Sequence, residues 1–177
     1  MPLALRRQPI LLHNSIVNPL RRCKVIVKIV LQRVREATVS VAGEVVGQIG
    51  PGLVVLVGVA NGDAEQDADY LAQRIINLRI FADAEGKFNL SALDIKGELL
   101  VVSQFTLLAD TRRGRRPSFT DAATPALAEA LFNHFLAAIS ASGLKVAAGR
   151  FQSHMLVEIY NDGPVTILMD SRDKTRG

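Results

Sequence analysis

Cysteine is almost absent from this chain. Cys23 stands alone, so neither an intramolecular disulfide nor a cysteine-based zinc site can form, a usage that favours a reducing compartment. Histidine is scarce as well: His13, His134 and His154 sit at no metal-ligand spacing and beside no serine motif. His134 and His154 read as polar surface groups. There is no G-x-S-x-G elbow, phosphate-binding glycine loop or zinc motif, which disfavours a standard triad or a metal hydrolase. No apolar stretch approaches the length of a membrane span, and no spacing implies a metal or organic cofactor.

Acidic residues are missing from residues 1–26, which carry Arg6, Arg7, Arg21, Arg22 and Lys24, while the rest of the chain holds 16 basic and 17 acidic groups. The formal net charge of +4 is therefore a property of this leader, and RNA binding has to be argued from local clusters. Pro2, Pro9 and Pro19 break any helix there, and no period of 3.6 or 2 is sustained, so the leader is not expected to pack. Ile10-Leu11-Leu12 is too short for the centre of a secretory signal. The leader reads as an organelle transit peptide or as upstream sequence translated from an early start, with the second favoured. The chain's 177 residues suit one domain, placed at 27–172 and followed by a tail at 173–177. A cytoplasmic location is expected.

Order is expected from Val27, where Val27, Ile29 and Leu31 alternate with more polar neighbours, and Val39, Val41, Val45 and Val46 continue the pattern around Gly43 as a hairpin. Pro51-Gly52 marks a turn before Leu53–Val59, an apolar run of the kind buried on both faces. Asp63 and Gln66 suggest a capping box for a helix carrying Ala68, Leu71, Ala72, Ile75 and Leu78 on one stripe. A second helix starts at Thr124-Pro125, buries Leu127, Leu131, Phe135 and Ala138, and stops at Gly143. Between the helices lie a polar turn at Asp83–Gly86 and a strand from Glu98 to Leu108. Strands at 145–148, 155–160 and 164–170 follow. The class is α/β: a single domain with two amphipathic helices on one side of a sheet and the remaining strands forming another layer.

Three clusters are candidates for chemistry. Ser103-Gln104-Phe105-Thr106 closes the apolar strand, with alternation placing Gln104 and Thr106 on one face and Ser103 and Phe105 on the other; strand-end groups that merely cap neighbouring backbone would show the same pattern. Asn161-Asp162-Gly163-Pro164-Val165-Thr166 puts a Gly-Pro pair into a strand-like stretch, which a hairpin turn also explains. Arg112-Arg113-Gly114-Arg115-Arg116 is the sole dense positive patch of the body. It is either a solvated loop or a phosphate-backbone contact, with Phe119 available to stack on a base.

Together these segments resemble the D-aminoacyl-tRNA deacylase family from about Val27 to Ser171. The likeness rests on Val30-Leu31-Gln32-Arg33-Val34, Gly50-Pro51-Gly52-Leu53, Asn77-Leu78-Arg79-Ile80-Phe81, Ser103-Gln104-Phe105-Thr106-Leu107, Ala109-Asp110-Thr111-Arg112, Arg115-Arg116-Pro117-Ser118-Phe119 and Asn161-Asp162-Gly163-Pro164-Val165-Thr166. The resemblance implies an aminoacyl-tRNA substrate, and no DNA or membrane partner. It also implies a homodimer in which a cis Gly163-Pro164 pair enters the partner's site beside Ser103–Thr106, with Asn161 and Thr166 beside it and Arg33 helping to hold it. Backbone there would exclude an L side chain at Cα, leaving D residues and glycine to be hydrolysed. Ser103, Gln104, Phe105 and Thr106 become the catalytic segment, and Arg112, Arg113, Arg115, Arg116 and Phe119 become tRNA contacts. With no histidine base at hand, attack by water assisted by the RNA 2′-hydroxyl is preferred to Thr106 acting as nucleophile. The alternatives are a non-catalytic tRNA-binding accessory protein, and a deacylase of L-mischarged tRNA.

Overall fold

The computed structural model describes residues 27–176; the expected unpacked leader lies outside them. Strand β1 (Lys28–Val41) is one 14-residue element rather than the two short strands read from the alternation. It is long because its first part pairs antiparallel with β3 (Gly52–Gly58) and its last part with β2 (Glu44–Ile49). The hairpin to β2 turns at Ala42 and Gly43, both at positive φ.

Leu53, Val54 and Val55 of β3 are fully buried, as expected for a strand covered on both faces. β3 runs parallel to β6 (Glu98–Ser103), which is parallel to β7 (Val146–Ala148). Helices α1 (Glu65–Ile76) and α2 (Pro125–Ser140) make the two crossovers and enclose the larger core with residues such as Leu71, Ile75, Phe132, Phe135 and Ile139. On the other face of the sheet Val34, Val39, Ile49, Val54 and Leu100 form a second core, against which Met155, Val157 and Ile159 pack. The layering is thus helices, central strands, then further strands. A two-stranded hairpin, β4 (Phe81–Ala82) with β5 (Phe88–Leu90), closes over the polar turn, where the Asp83 carboxylate accepts the N–H groups of Glu85 and Lys87.

Four local expectations are corrected. Asp63 does not cap α1: its carboxylate accepts the Ala60 N–H at 2.6 Å, inside the preceding turn, while Asp67 reaches back to the Ala64 N–H. In α2, Leu127 is exposed and Phe132 and Ile139 are buried, because the face turned to the sheet begins one turn later. The strand expected to Leu108 ends at Ser103. After the Gln104 N–H donates to Val57 O at 2.7 Å, β3 has run out, and residues 105–108 wind into a 3-10 turn that buries Leu108. Strict alternation of Ser103 to Thr106 between two faces therefore does not hold.

The last correction concerns the Gly-Pro pair, which interrupts no hairpin. β8 (Leu156–Asp170) is one strand antiparallel to β1. Pairing passes from Gln32 with Thr166 to Val34 with Asn161, so residues 162–165 bulge opposite Arg33 alone. The Asn161 carboxamide keeps the strand continuous by bonding both the N–H and the C=O of Val165 at 3.1 Å, replacing the ladder bonds that the bulge removes.

Candidate active site

β3 and β6 end side by side, Val57 beside Ser103, and beyond these parallel strand ends opens a cavity of about 760 Å³, where crevices of open α/β sheets take ligands. Ser103, Gln104 and Phe105 form one wall; Phe132 of α2 and Phe151 and His154 from the loop before β8 stand among the others. His154 is exposed, as a polar group should be, but exposed into this cavity. Phe132, Phe151 and His154 were not singled out from the sequence for this site, since only the folding of distant segments puts them there.

Thr106 lies just outside the wall and is held to it, because Gln104 Nε2 donates to Thr106 Oγ1. No carboxylate or imidazole among the described residues hydrogen-bonds that hydroxyl. A 3-10 turn that starts at Phe105 also leaves the Phe105 and Thr106 N–H groups without a partner inside the turn. Phe105 is 59% exposed at the rim and meets the edge of Phe119 at a centroid distance of 5.1 Å.

The bulge is a second constellation. Its Gly163–Pro164 peptide bond is cis, and both residues are exposed. A Cβ at Gly163 would sit 2.6 Å from Val165 N, at a φ of +152°, so only glycine suits that position. Arg33 holds the bulge from beneath with its side chain 12% exposed: Nε donates to Asp162 O at 3.0 Å, Nη1 donates to Ile80 O at 2.5 Å, and Phe88 lies 5.0 Å beneath the guanidinium. Arg33 and Arg35 both pair with the Asp162 carboxylate at 3.2 Å. The Thr166 hydroxyl accepts from Gln32 at 3.0 Å.

These two constellations do not meet within one chain. Ile29 lies opposite Val57 at the cavity end of β1, and Arg33 lies opposite Leu53, a separation of roughly 13 Å along the strand. None of residues 161–166 lines the cavity. The arginine run lines no part of the cavity and lies between Phe105 and Phe119, whose rings touch: Arg112 pairs with Asp110 at 2.7 Å, while Arg113, Arg115 and Arg116 are exposed. His134 joins the helices instead, 2.7 Å from Asp69 and 3.8 Å from Glu65. Among the described residues no cluster of three or more histidine, cysteine, aspartate or glutamate side chains is disposed to hold a metal ion, and no helix is long and apolar enough to cross a membrane.

Residues 30–170 match the sequence model of the family described as D-Tyr-tRNA(Tyr) deacylase. A D-aminoacyl-tRNA deacylase of Dehalococcoides mccartyi is 63% identical over 147 residues, covering 83% of this chain and 96% of the relative. One from Chloroflexus aurantiacus is 58% identical over 144 residues, covering 81% and 90%. Among solved structures, the c-Myc DNA Unwinding Element Binding Protein is similar at a TM-score of 0.76 and 39% identity, over 80% of this chain and 97% of that one. A structure described as a probable eukaryotic D-amino acid tRNA deacylase shares the fold at a TM-score of 0.72 and 17% identity, over 82% and 99%.

Proposed function

The chain belongs to the D-Tyr-tRNA(Tyr) deacylase family and is a hydrolase of the D-aminoacyl-tRNA ester bond; from that premise we propose that it works in the cytoplasm as a homodimer, proofreading translation with a cross-subunit Gly-cisPro filter. Each protomer would lend its Asp162–Pro164 bulge to the cavity of the other. The observation that carries this reading is the division just described: a catalytic-looking cavity at one end of the sheet, and at the other an exposed backbone bulge braced by an almost buried arginine. A bulge held by Arg33 and Asn161 presents backbone in one fixed position, which is what a steric filter requires.

In the filled site the terminal adenosine and the amino acid occupy the cavity. Gly163 and Pro164 of the second protomer stand where an L side chain would project from Cα, so D residues and glycine enter and L residues collide. Such a filter reads the substituents at Cα and ignores what lies beyond, which gives breadth across D-amino acids and extends the activity to glycyl-tRNA. Asn161 and Thr166 shape the bulge, the first through Val165 and the second through Gln32.

Water attacks the ester carbonyl with help from the 2′-hydroxyl of the RNA. Among the described residues Thr106 Oγ1 has only the Gln104 amide as its partner, and a donor cannot take the proton a covalent mechanism must remove. The N–H groups of Phe105 and Thr106 face the developing oxyanion. Gln104 orients the substrate, and Ser103 and Phe105 form the wall.

Initial rates on D-tyrosyl-, glycyl- and L-tyrosyl-tRNA test the reading. Hydrolysis of the first two with the third spared is the expected result. Cleavage of the L substrate alone would reassign the chain to L-mischarged tRNA, and cleavage of none would make it a non-catalytic tRNA-binding accessory protein.

A further inference from the structure

Residues 27–177 carry a formal charge of −1, so a polyanionic substrate gains nothing from the body as a whole and must be attracted locally. Three cations unpaired among the described residues stand together in one loop. The loop 110–118 is pinched shut at its base, where Asp110 and Ser118 exchange both backbone hydrogen bonds at 2.8 and 2.9 Å. Arg112 folds back on the neck: Nε and Nη2 donate to the two Asp110 carboxylate oxygens at 2.8 and 2.7 Å, and its N–H donates there at 3.0 Å. These bonds hold the Asp110 carboxyl far below the usual carboxylate range, the Arg112 side chain being the largest cause. Arg113, Arg115 and Arg116 make no ion pair among the described residues and are exposed.

Both roots of the loop lead to residues of the cavity wall. One follows the 3-10 turn that contains Phe105; the other continues into Phe119, whose ring packs against Phe105, and then into Ala123 and Pro125 on the cavity wall. A loop of seven residues beyond the neck reaches about 12 Å at most, so the backbone that carries the three arginines stays within that distance of the neck.

We propose that this loop is a phosphate clamp for the acceptor arm of tRNA, in which Arg113, Arg115 and Arg116 contact the backbone upstream of the terminal adenosine, Phe105 and Phe119 offer a face to the next base, and Arg112 is a brace that shapes the loop. This rests on the tRNA deacylase reading above and refines the sequence expectation of four equivalent arginines to three contacts and one strut. Phosphate contacts carry no base information. The clamp therefore accepts any acceptor arm, as the backbone filter accepts many side chains.

The test compares wild type with R113Q/R115Q/R116Q on D-tyrosyl-tRNA and on 3′-O-D-tyrosyl-adenosine, which lacks the upstream strand. The preference for the full substrate, as the ratio of kcat/KM values, should fall at least about tenfold and through KM, as expected for lost binding contacts that are equal in ground and transition states. For uncharged tRNA, the slope of log Kd against log salt should shrink by about 2 to 3, and the triple lysine variant should recover most of it. Asp110→Asn probes the brace: it raises net positive charge, yet should weaken tRNA binding by freeing Arg112. An unchanged substrate preference, an unchanged salt slope, or tighter binding by Asp110→Asn would overturn the clamp. Failure of the deacylase reading looks different, since wild type would then cleave neither substrate.

Discussion

At the scale of single residues, the site contrasts a weakly supported hydroxyl with a heavily supported arginine. Among the described residues Thr106 has one partner, the Gln104 amide, so Thr106→Ala removes no activated nucleophile. Its turnover of D-tyrosyl-tRNA should stay within about tenfold of wild type; complete loss would favour the covalent route. Arg33 is the opposite case, binding Asp162 and Ile80 carbonyl oxygens and lying against Phe88. Arg33→Met keeps much of the length but strands those carbonyls, at a cost of about 1–3 kcal/mol. With the bulge released, discrimination should suffer more than rate: the ratio of D- to L-tyrosyl-tRNA hydrolysis should drop, and a preserved ratio would remove Arg33 from the filter.

At the scale of elements, the cavity depends on β3, β6 and β7 keeping their parallel register. Glu98, the first residue of β6, ties the turn before β3 to the start of the last crossover strand: its carboxylate accepts the Gly50 N–H and Lys145 Nζ, both at 2.8 Å. The Lys145 hydrogen bond, then that from Gly50, lowers its pKa below the ordinary glutamate value. A carboxyl whose folded pKa is depressed contributes its full stability above the ordinary value and loses it as pH falls through the depressed one. Glu98→Gln should therefore cost about 1 kcal/mol near neutral pH, kept small by the exposed lysine. The two proteins should converge in acid, and denaturant melts across pH 3–7 would show a constant gap if Glu98 played no such part.

At the scale of the whole molecule, the distance between bulge and cavity is the ground on which the proposed homodimer rests. A single chain holds both parts but does not bring them together, so stereoselective activity should require two copies. Sedimentation should report a dimer at assay concentrations. Mixing a Gln104→Ala chain, impaired in its cavity, with a Gly163→Ala chain, impaired in its filter, should restore stereoselective hydrolysis in the mixed dimer, where one site has both intact parts. Stable monomers with full stereoselective activity would end the cross-subunit proposal.

Apolar periodicity and turn signals in the sequence were enough for the α/β class, the buried β3 run, the existence of both helices and the polar turn, because those signals are local, whereas the Asp63 cap and the buried Leu127 they suggested gave way to tertiary partners. The short motifs around Ser103 and Gly163 were legible as family marks, and their positions as candidate site residues were readable before any fold was known. What needed tertiary structure was the course of the chain at those marks. β6 stops at Ser103 because its neighbour β3 ends there, and β8 passes through a Gly-Pro pair because Asn161 bridges to Val165. The pairing of Arg112 with Asp110 and the opening of His154 into the cavity were likewise invisible in composition. Hydrophobic period reports which face of an element is buried; which partner a polar group finds depends on where other elements end, and only the folded chain decides that.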